Sequence, residues 1–138
     1  MISKKMKYAL KALIEIVNKE DELISANMIA QRANIPIKFL EQILNELRKG
    51  RIVNSKKGSV GGYYMLRDPK ITTLADIYRL IEGPIALLPC ASLNYYERCT
   101  DCPSEDSCQV HHAVVQIRNE SLKILERVSL EEFSKNNF

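Results

Sequence analysis

The 138-residue chain has no tryptophan, three phenylalanines, two histidines, five glycines and five prolines. Glycine and proline are too sparse for a collagen-like or low-complexity chain, and no internal repeat or biased tract is present. No apolar run approaches the roughly 20 residues that a bilayer-spanning helix needs, so no membrane association is expected. There is no nucleophile–base pair at a recognisable spacing, and no glycine-rich loop is followed by Lys-Ser/Thr and a helix, so no enzymatic activity is expected. The basic start, Met1-Ile2-Ser3-Lys4-Lys5-Met6-Lys7, lacks the apolar core and small-residue cleavage site of a secretory leader. A cytoplasmic location is therefore expected. What remains is ordinary globular composition, 46% hydrophobic and 27% charged, enough for one small domain with an appended element.

Charge is distributed unevenly. Residues 1–70 hold 14 Lys/Arg against 7 Asp/Glu, a net +7, whereas residues 71–138 hold 6 against 10, a net −4. A basic half joined to an acidic half suggests that one part faces a polyanion; a chance asymmetry over a solvated surface is the plainer alternative.

Apolar spacing organises the basic half. Met6, Leu10, Leu13, Ile14 and Val17 recur at helical intervals after a potential Ser3 cap. Ser25 offers a second cap, with Ile29 and Ala30 facing inward, and Asn34 suits a left-handed turn residue. A third helix is expected from about Pro36 to Lys49, stopped by Gly50. Its apolar stripe is Leu40, Ile43, Leu44 and Leu47. The opposite face carries Lys38, Gln42, Asn45 and Lys49, with Glu41 beside it. This describes a helix-turn-helix or, equally, a generic three-helix unit. The β-prone runs Ile52–Ser55 and Tyr63–Leu66 then flank Lys56-Lys57-Gly58-Ser59-Val60-Gly61-Gly62. A hairpin with a basic tip directly after a recognition-type helix is the layout of a winged helix. The expected fold is mainly α with a small β-hairpin. Lys38, Glu41 and Gln42, with Asn45 alongside, would face base edges in the major groove; Lys56, Lys57 and Ser59 would meet the backbone or the minor groove.

Beyond it, Thr72 or Thr73 can cap a fourth helix whose face is Leu74, Ile77, Tyr78 and Ile81, ended by Gly83-Pro84. Residues 84–104 hold three prolines and three of the four cysteines and should form an irregular loop. From Ser104 onward there is no glycine or proline, and Val110, Val114, Ile117, Ile124 and Val128 step by threes and fours, with Ser121 as the weak position. A helix of roughly 20–25 residues would run about 30–37 Å, too long for so small a domain to cover. Pairing with the same helix of a second subunit would bury it. The expected organisation is a winged-helix domain at 1–83, a cysteine loop at 84–104, and a dimerisation helix with a C-terminal tail at 105–138.

Cys90, Cys99, Cys102 and Cys108 fall within one 19-residue window. Such clustering points to a metal, a cluster cofactor or thiol redox chemistry rather than a disulfide framework. Thiolates suit iron–sulfur clusters, zinc and copper(I). Zinc sites usually use two close pairs, and here only Cys99-Thr100-Asp101-Cys102 is one. His111 and His112 point about 100° apart on a helix, so at most one faces the loop easily. Glu97, Asp101, Glu105 and Asp106 beside the thiols read as solvated, or as favouring the helix N-terminus.

Lys7-Tyr8-Ala9-Leu10, Phe39-Leu40-Glu41-Gln42, Gly61-Gly62-Tyr63 and Ile81-Glu82-Gly83-Pro84 stand in an order and spacing that resembles the winged-helix transcription regulators of the IscR, NsrR and CymR type. The resemblance runs over almost the whole chain. It implies a homodimer on double-stranded DNA with a palindromic operator, and a cysteine loop that binds an iron–sulfur cluster in sensing members. By the same resemblance the ligands would be Cys90, Cys102 and Cys108, the last two being separated by five residues, with Cys99 or His111 as the fourth. A set of Cys90, Cys99 and Cys108, or ligation by all four cysteines, is also open. Phe39, on the DNA-reading face, stands where relatives often have a tyrosine, and Lys56-Lys57 where many have an arginine. Three functions follow as expectations. The first is a regulator sensing iron–sulfur status, redox state or nitric oxide through the cluster. The second is a cluster-free regulator switched by thiol oxidation or a partner protein. The third is a zinc-stabilised protein-interaction module that never touches DNA.

Overall fold

The computed structural model describes residues 2–138. Helix α1 (Lys4–Val17) starts at Ser3, whose hydroxyl accepts the Met6 N–H at 3.0 Å. It buries Met6, Ala9, Ala12, Leu13, Ile16 and Val17, so Leu10 and Ile14 sit at the edge of the buried face rather than at its centre. Helix α2 (Ala26–Ala33) is capped by Ser25 and ends on Asn34 at φ 52°, ψ 59°, the left-handed residue the sequence suggests. Helix α3 (Ile37–Lys49) completely buries Leu40, Ile43, Leu44 and Leu47 against the two preceding helices. Gly50 follows with an unremarkable φ of −75°. A Cβ there would meet the end of the Leu80 side chain, which would have to shift.

Strands β1 (Val53–Lys56) and β2 (Gly62–Met65) form an antiparallel hairpin that pairs Val53 with Met65 and Lys56 with Gly62. Ile24 extends the sheet by exchanging both backbone hydrogen bonds with Tyr63, at 3.1 and 2.8 Å. That approach leaves no room for a side chain at Gly62, whose Cβ would lie 2.7 Å from the Ile24 carbonyl carbon. Helix α4 (Leu74–Ile81) carries a full capping box between Thr73 and Asp76. The winged helix-turn-helix expected from the spacing is thus present. Among the described residues, no helix is long and apolar enough to cross a membrane.

The acidic half departs from the sequence expectation at its end. After a single 3-10 turn (Pro89–Ala91), helix α5 spans Gln109–Arg127, 19 residues, which corresponds to about 28 Å. It stops because the chain turns back. The Leu74 N–H donates to the Val128 carbonyl at 3.0 Å, and the Leu130 N–H to the Thr72 carbonyl at 2.8 Å. Ser129 then caps a short helix α6 (Leu130–Ser134) that packs against α1. Val128, which the spacing places on the long apolar stripe, is instead 1% exposed within the winged-helix core, as is Leu130. The stripe therefore divides. Val114 is buried within its own chain, while Val110, Ile117 and Ile124 remain 59%, 48% and 55% exposed.

If the tail is part of the core, Leu130→Ala should lower the unfolding free energy by about 2–5 kcal/mol. A tail lying free on the surface would cost less than about 0.5 kcal/mol. Urea denaturation distinguishes the two.

Candidate nucleic-acid interface and thiol pocket

Burying one face of α3 leaves the other outward. Lys38, Glu41, Gln42 and Lys49 are exposed, while Asn45 is half-buried and its side-chain oxygen accepts from Arg48 Nη2 at 3.1 Å. Phe39 is half-buried and meets the Tyr8 ring edge-on, with centroids 5.5 Å apart, so it anchors the start of α3 to α1. The Lys4 and Lys11 ammonium groups stand 5.7 and 5.9 Å from the Tyr8 ring centre. This basic rim was not singled out from the sequence, although Lys4, Tyr8 and Lys11 have the i, i+4, i+7 spacing of one helical face. In the hairpin, Lys56 lies over Tyr64 at 5.8 Å, and Lys57 and Ser59 are exposed at the tip.

Ion pairing sorts the cations. Lys5 is held by Glu46 at 2.7 Å, and Arg32 lies 3.8 Å from Glu15. Among the described residues, Lys38, Lys49, Lys56 and Lys57 have no carboxylate within 4.0 Å. Their charge is free to replace the counterions of a nucleic-acid backbone. Gln42→Ala should cost about 1–3 kcal/mol of discrimination between the specific site and random duplex. Lys57→Ala should weaken both duplexes alike and reduce the slope of log K against log salt by about 0.9. Fluorescence anisotropy titrations over a salt series check both.

The second site is a cavity of about 410 Å³ lined by all four cysteines together with Leu88, Asp101, Glu105, Val110 and His111, among others. Cys90 arrives on the 3-10 turn and is buried, Cys102 and Cys108 are half-buried, Cys99 is exposed, and all four are free thiols. Cys108 is the N-cap of α5, and its sulfur accepts the His111 N–H at 3.3 Å. His111 also lines the cavity, and its imidazole Nδ1 is buried without a hydrogen-bond partner. His112 is exposed. The Cys99 thiol donates to Asp101 Oδ1 at 2.7 Å, which raises the thiol pKa and lowers that of the carboxyl. Loss of hydration, with a hydrogen bond to Cys108, raises the Cys102 pKa.

Among the described residues, no three Cys, His, Asp or Glu side chains converge as a single metal ion would require. The donors instead surround a space far larger than one ion. Four soft thiols around such a cavity, with His111 among its lining residues, fit a polynuclear iron–sulfur group better than a lone zinc.

Comparison with known proteins gives a consistent outcome. The family model for the iron-dependent transcriptional regulators, Rrf2, matches residues 2–136. An rrf2-like HTH-type transcriptional regulator of Rhodobacter capsulatus is 38% identical over 136 residues, covering 96% of this chain and 91% of that one. The HTH-type transcriptional regulator CymR of Bacillus subtilis is 40% identical over 86 residues, 62% of each chain. Among solved structures, CymR (YrzC), the global cysteine regulator of B. subtilis, superposes with a TM-score of 0.80 at 29% identity, covering 99% of this chain and 97% of that one. The T. potens IscR structure shares the fold with a TM-score of 0.73 at 24% identity, covering 100% of this chain and 88% of that one.

Proposed function

The chain belongs to the Rrf2 family of DNA-binding transcriptional regulators, and on that premise we propose that it acts as a homodimer on a two-fold symmetric operator and senses through an iron–sulfur cluster held in the thiol pocket. The observation that carries this reading is that four free thiols and His111 line one cavity at the N-terminus of α5. Family membership sets aside the zinc-stabilised module that never touches DNA.

Assembly rests on the exposed side of α5. Val110, Ile117 and Ile124 recur every seven residues and remain about half exposed. A second α5 across such a seam would bury them and bring two reader helices into one assembly. In this reading residues 1–83 form the reader, 84–104 carry most of the thiols, and the segment from 105 supplies the seam before its last residues return to the reader. Ile117→Glu with Ile124→Glu should dissociate the dimer. Sedimentation velocity showing a wild-type monomer at micromolar concentration would sink the proposal.

Cys90, Cys102 and Cys108 are the proposed ligands, with the fourth drawn from His111 or Cys99. His111 is favoured, because it lines the cavity and its Nδ1 is unpaired, while the Cys99 thiol is exposed and engaged by Asp101. When bound, such a cluster supplies redox- and nitric-oxide-sensitive chemistry. The chain's own part is mechanical. Cys108 caps α5, α5 packs on α4 and the 3-10 turn, and its C-terminal end is tied to residues 72–74. A change in the pocket acts on DNA binding to the extent that the pocket's occupant favours one placement of α5 over another.

Anaerobic purification with an absorption spectrum and iron and sulfide assays tests the cluster. Cys90→Ala, Cys102→Ala and Cys108→Ala should each abolish it; His111→Ala should be severe and Cys99→Ala mild. Reconstituted wild-type protein without iron, or with stoichiometric zinc from cells supplying both metals, refutes the cluster and leaves the reader intact.

A second reading rests on Cys102 and Cys108, two half-buried free thiols that line the same cavity. In a cluster-free regulator, an oxidant would take two electrons and two protons from this pair to form a disulfide. Iron-free protein whose mass falls by two hydrogens, reversibly with dithiol, supports this reading.

A further inference from the structure

Of the cysteines around the cavity, Cys90 is the one that comes from the reader side of the loop, and it sits on a turn held within the loop, where the Glu97 N–H donates to the Pro89 carbonyl at 3.3 Å. The Ala91 N–H donates to the Leu88 carbonyl and the Ser92 N–H to the Pro89 carbonyl, both at 3.0 Å. One hydrogen bond among the described residues joins this turn to α5. It runs from Arg118 Nη1 to the Ala91 carbonyl. Ala91 is fully buried, and its carbonyl has no other partner among the described residues. The guanidinium is oriented from its own helix, since Nε and Nη2 both donate to Asn119 Oδ1, at 3.1 and 2.8 Å. Arg118 also follows His111 by seven residues, which puts both on one face of α5, about 10 Å apart along its axis.

We propose that Arg118 is a positioning residue for the thiol pocket: it fastens the Cys90 turn to the helix that carries Cys108 and His111, so that the spacing of the donors is set by α5. The physical basis is the cost of leaving a buried carbonyl unpaired. Without the guanidinium, the closed turn holds an unsatisfied acceptor, and opening to water becomes the favoured way to satisfy it. Opening the turn releases Cys90 first, because the other three thiols belong to a different segment, from Cys99 to Cys108. The inference takes the thiol pocket as the sensing site but does not depend on what fills it.

The test uses reduced, chelator-treated full-length protein and N-ethylmaleimide, with the alkylation rate of each cysteine followed by peptide mass spectrometry. Arg118→Met keeps the side-chain stem and removes the donors. It should speed alkylation of Cys90 by about tenfold or more and leave exposed Cys99 unchanged. Arg118→Lys, which retains a donor without the fork that Asn119 holds, should fall between this variant and wild type. A Cys90 rate within twofold of wild type overturns the proposal. So does parallel acceleration of Cys90 and Cys99, which would mean general loosening. If the Cys90 contrast appears while wild-type protein takes up no iron, the clamp stands and the cluster reading falls.

Discussion

Two backbone hydrogen bonds, Leu74 to Val128 and Leu130 to Thr72, decide where α5 points. They join the start of α4 to the end of α5, and Val128 and Leu130 on either side of the junction sink into the winged-helix core. Because a helix is stiff along its length, anchoring its C-terminal end defines the position of its N-terminal cap. Cys108 and His111 occupy that cap, so the thiol pocket lies where the anchor directs it. The same anchoring turns Val110, Ile117 and Ile124 outward. An Arg79–Glu126 ion pair at 2.9 Å lies along the α4–α5 contact, partly exposed and worth little by itself.

The reader obeys a comparable economy. Helix α3 spends its apolar face on the core, and its polar face stays clear: among the described residues, no carboxylate lies within 4.0 Å of Lys38 or Lys49. Gly61 and Gly62 meet backbone, of Lys56 and Ile24, where a Cβ would sit, and Gly50 meets the Leu80 side chain of α4. The wing therefore leaves the domain in a defined direction, while its tip, Lys57 to Val60, remains uncovered.

Much of the reader was legible in the residues. Ser3, Ser25 and Thr73 cap the helices they precede, Asn34 takes the left-handed turn, and the α3 stripe is buried in full. The wing strands begin and end within one residue of the β-prone runs. Phe39 was less legible. On a helical wheel it borders the outward face, but its ring is taken up by Tyr8, 31 positions earlier. The thiol pocket was half legible: clustering in sequence made a shared site plausible, but the hydrogen bond that engages Cys99 with Asp101 and the Cys108 cap on the His111 N–H belong to the folded loop.

The sequence by itself determined what short-range physics controls: which segments are helical, where they are capped, which stripe of α3 is apolar, and that a basic hairpin follows it. Caps, turns and periodicity act over a few residues, so each segment carries its own instructions. Only the tertiary structure decided that Val128 leaves the long stripe for the core, that α5 stops at Arg127, that Cys90 and His111 border one cavity, and that Arg118 reaches Ala91. Those outcomes depend on surfaces contributed by distant parts of the chain. An apolar residue at a helical position is equally suited to any partner surface, and the partner is chosen by the packing of the whole.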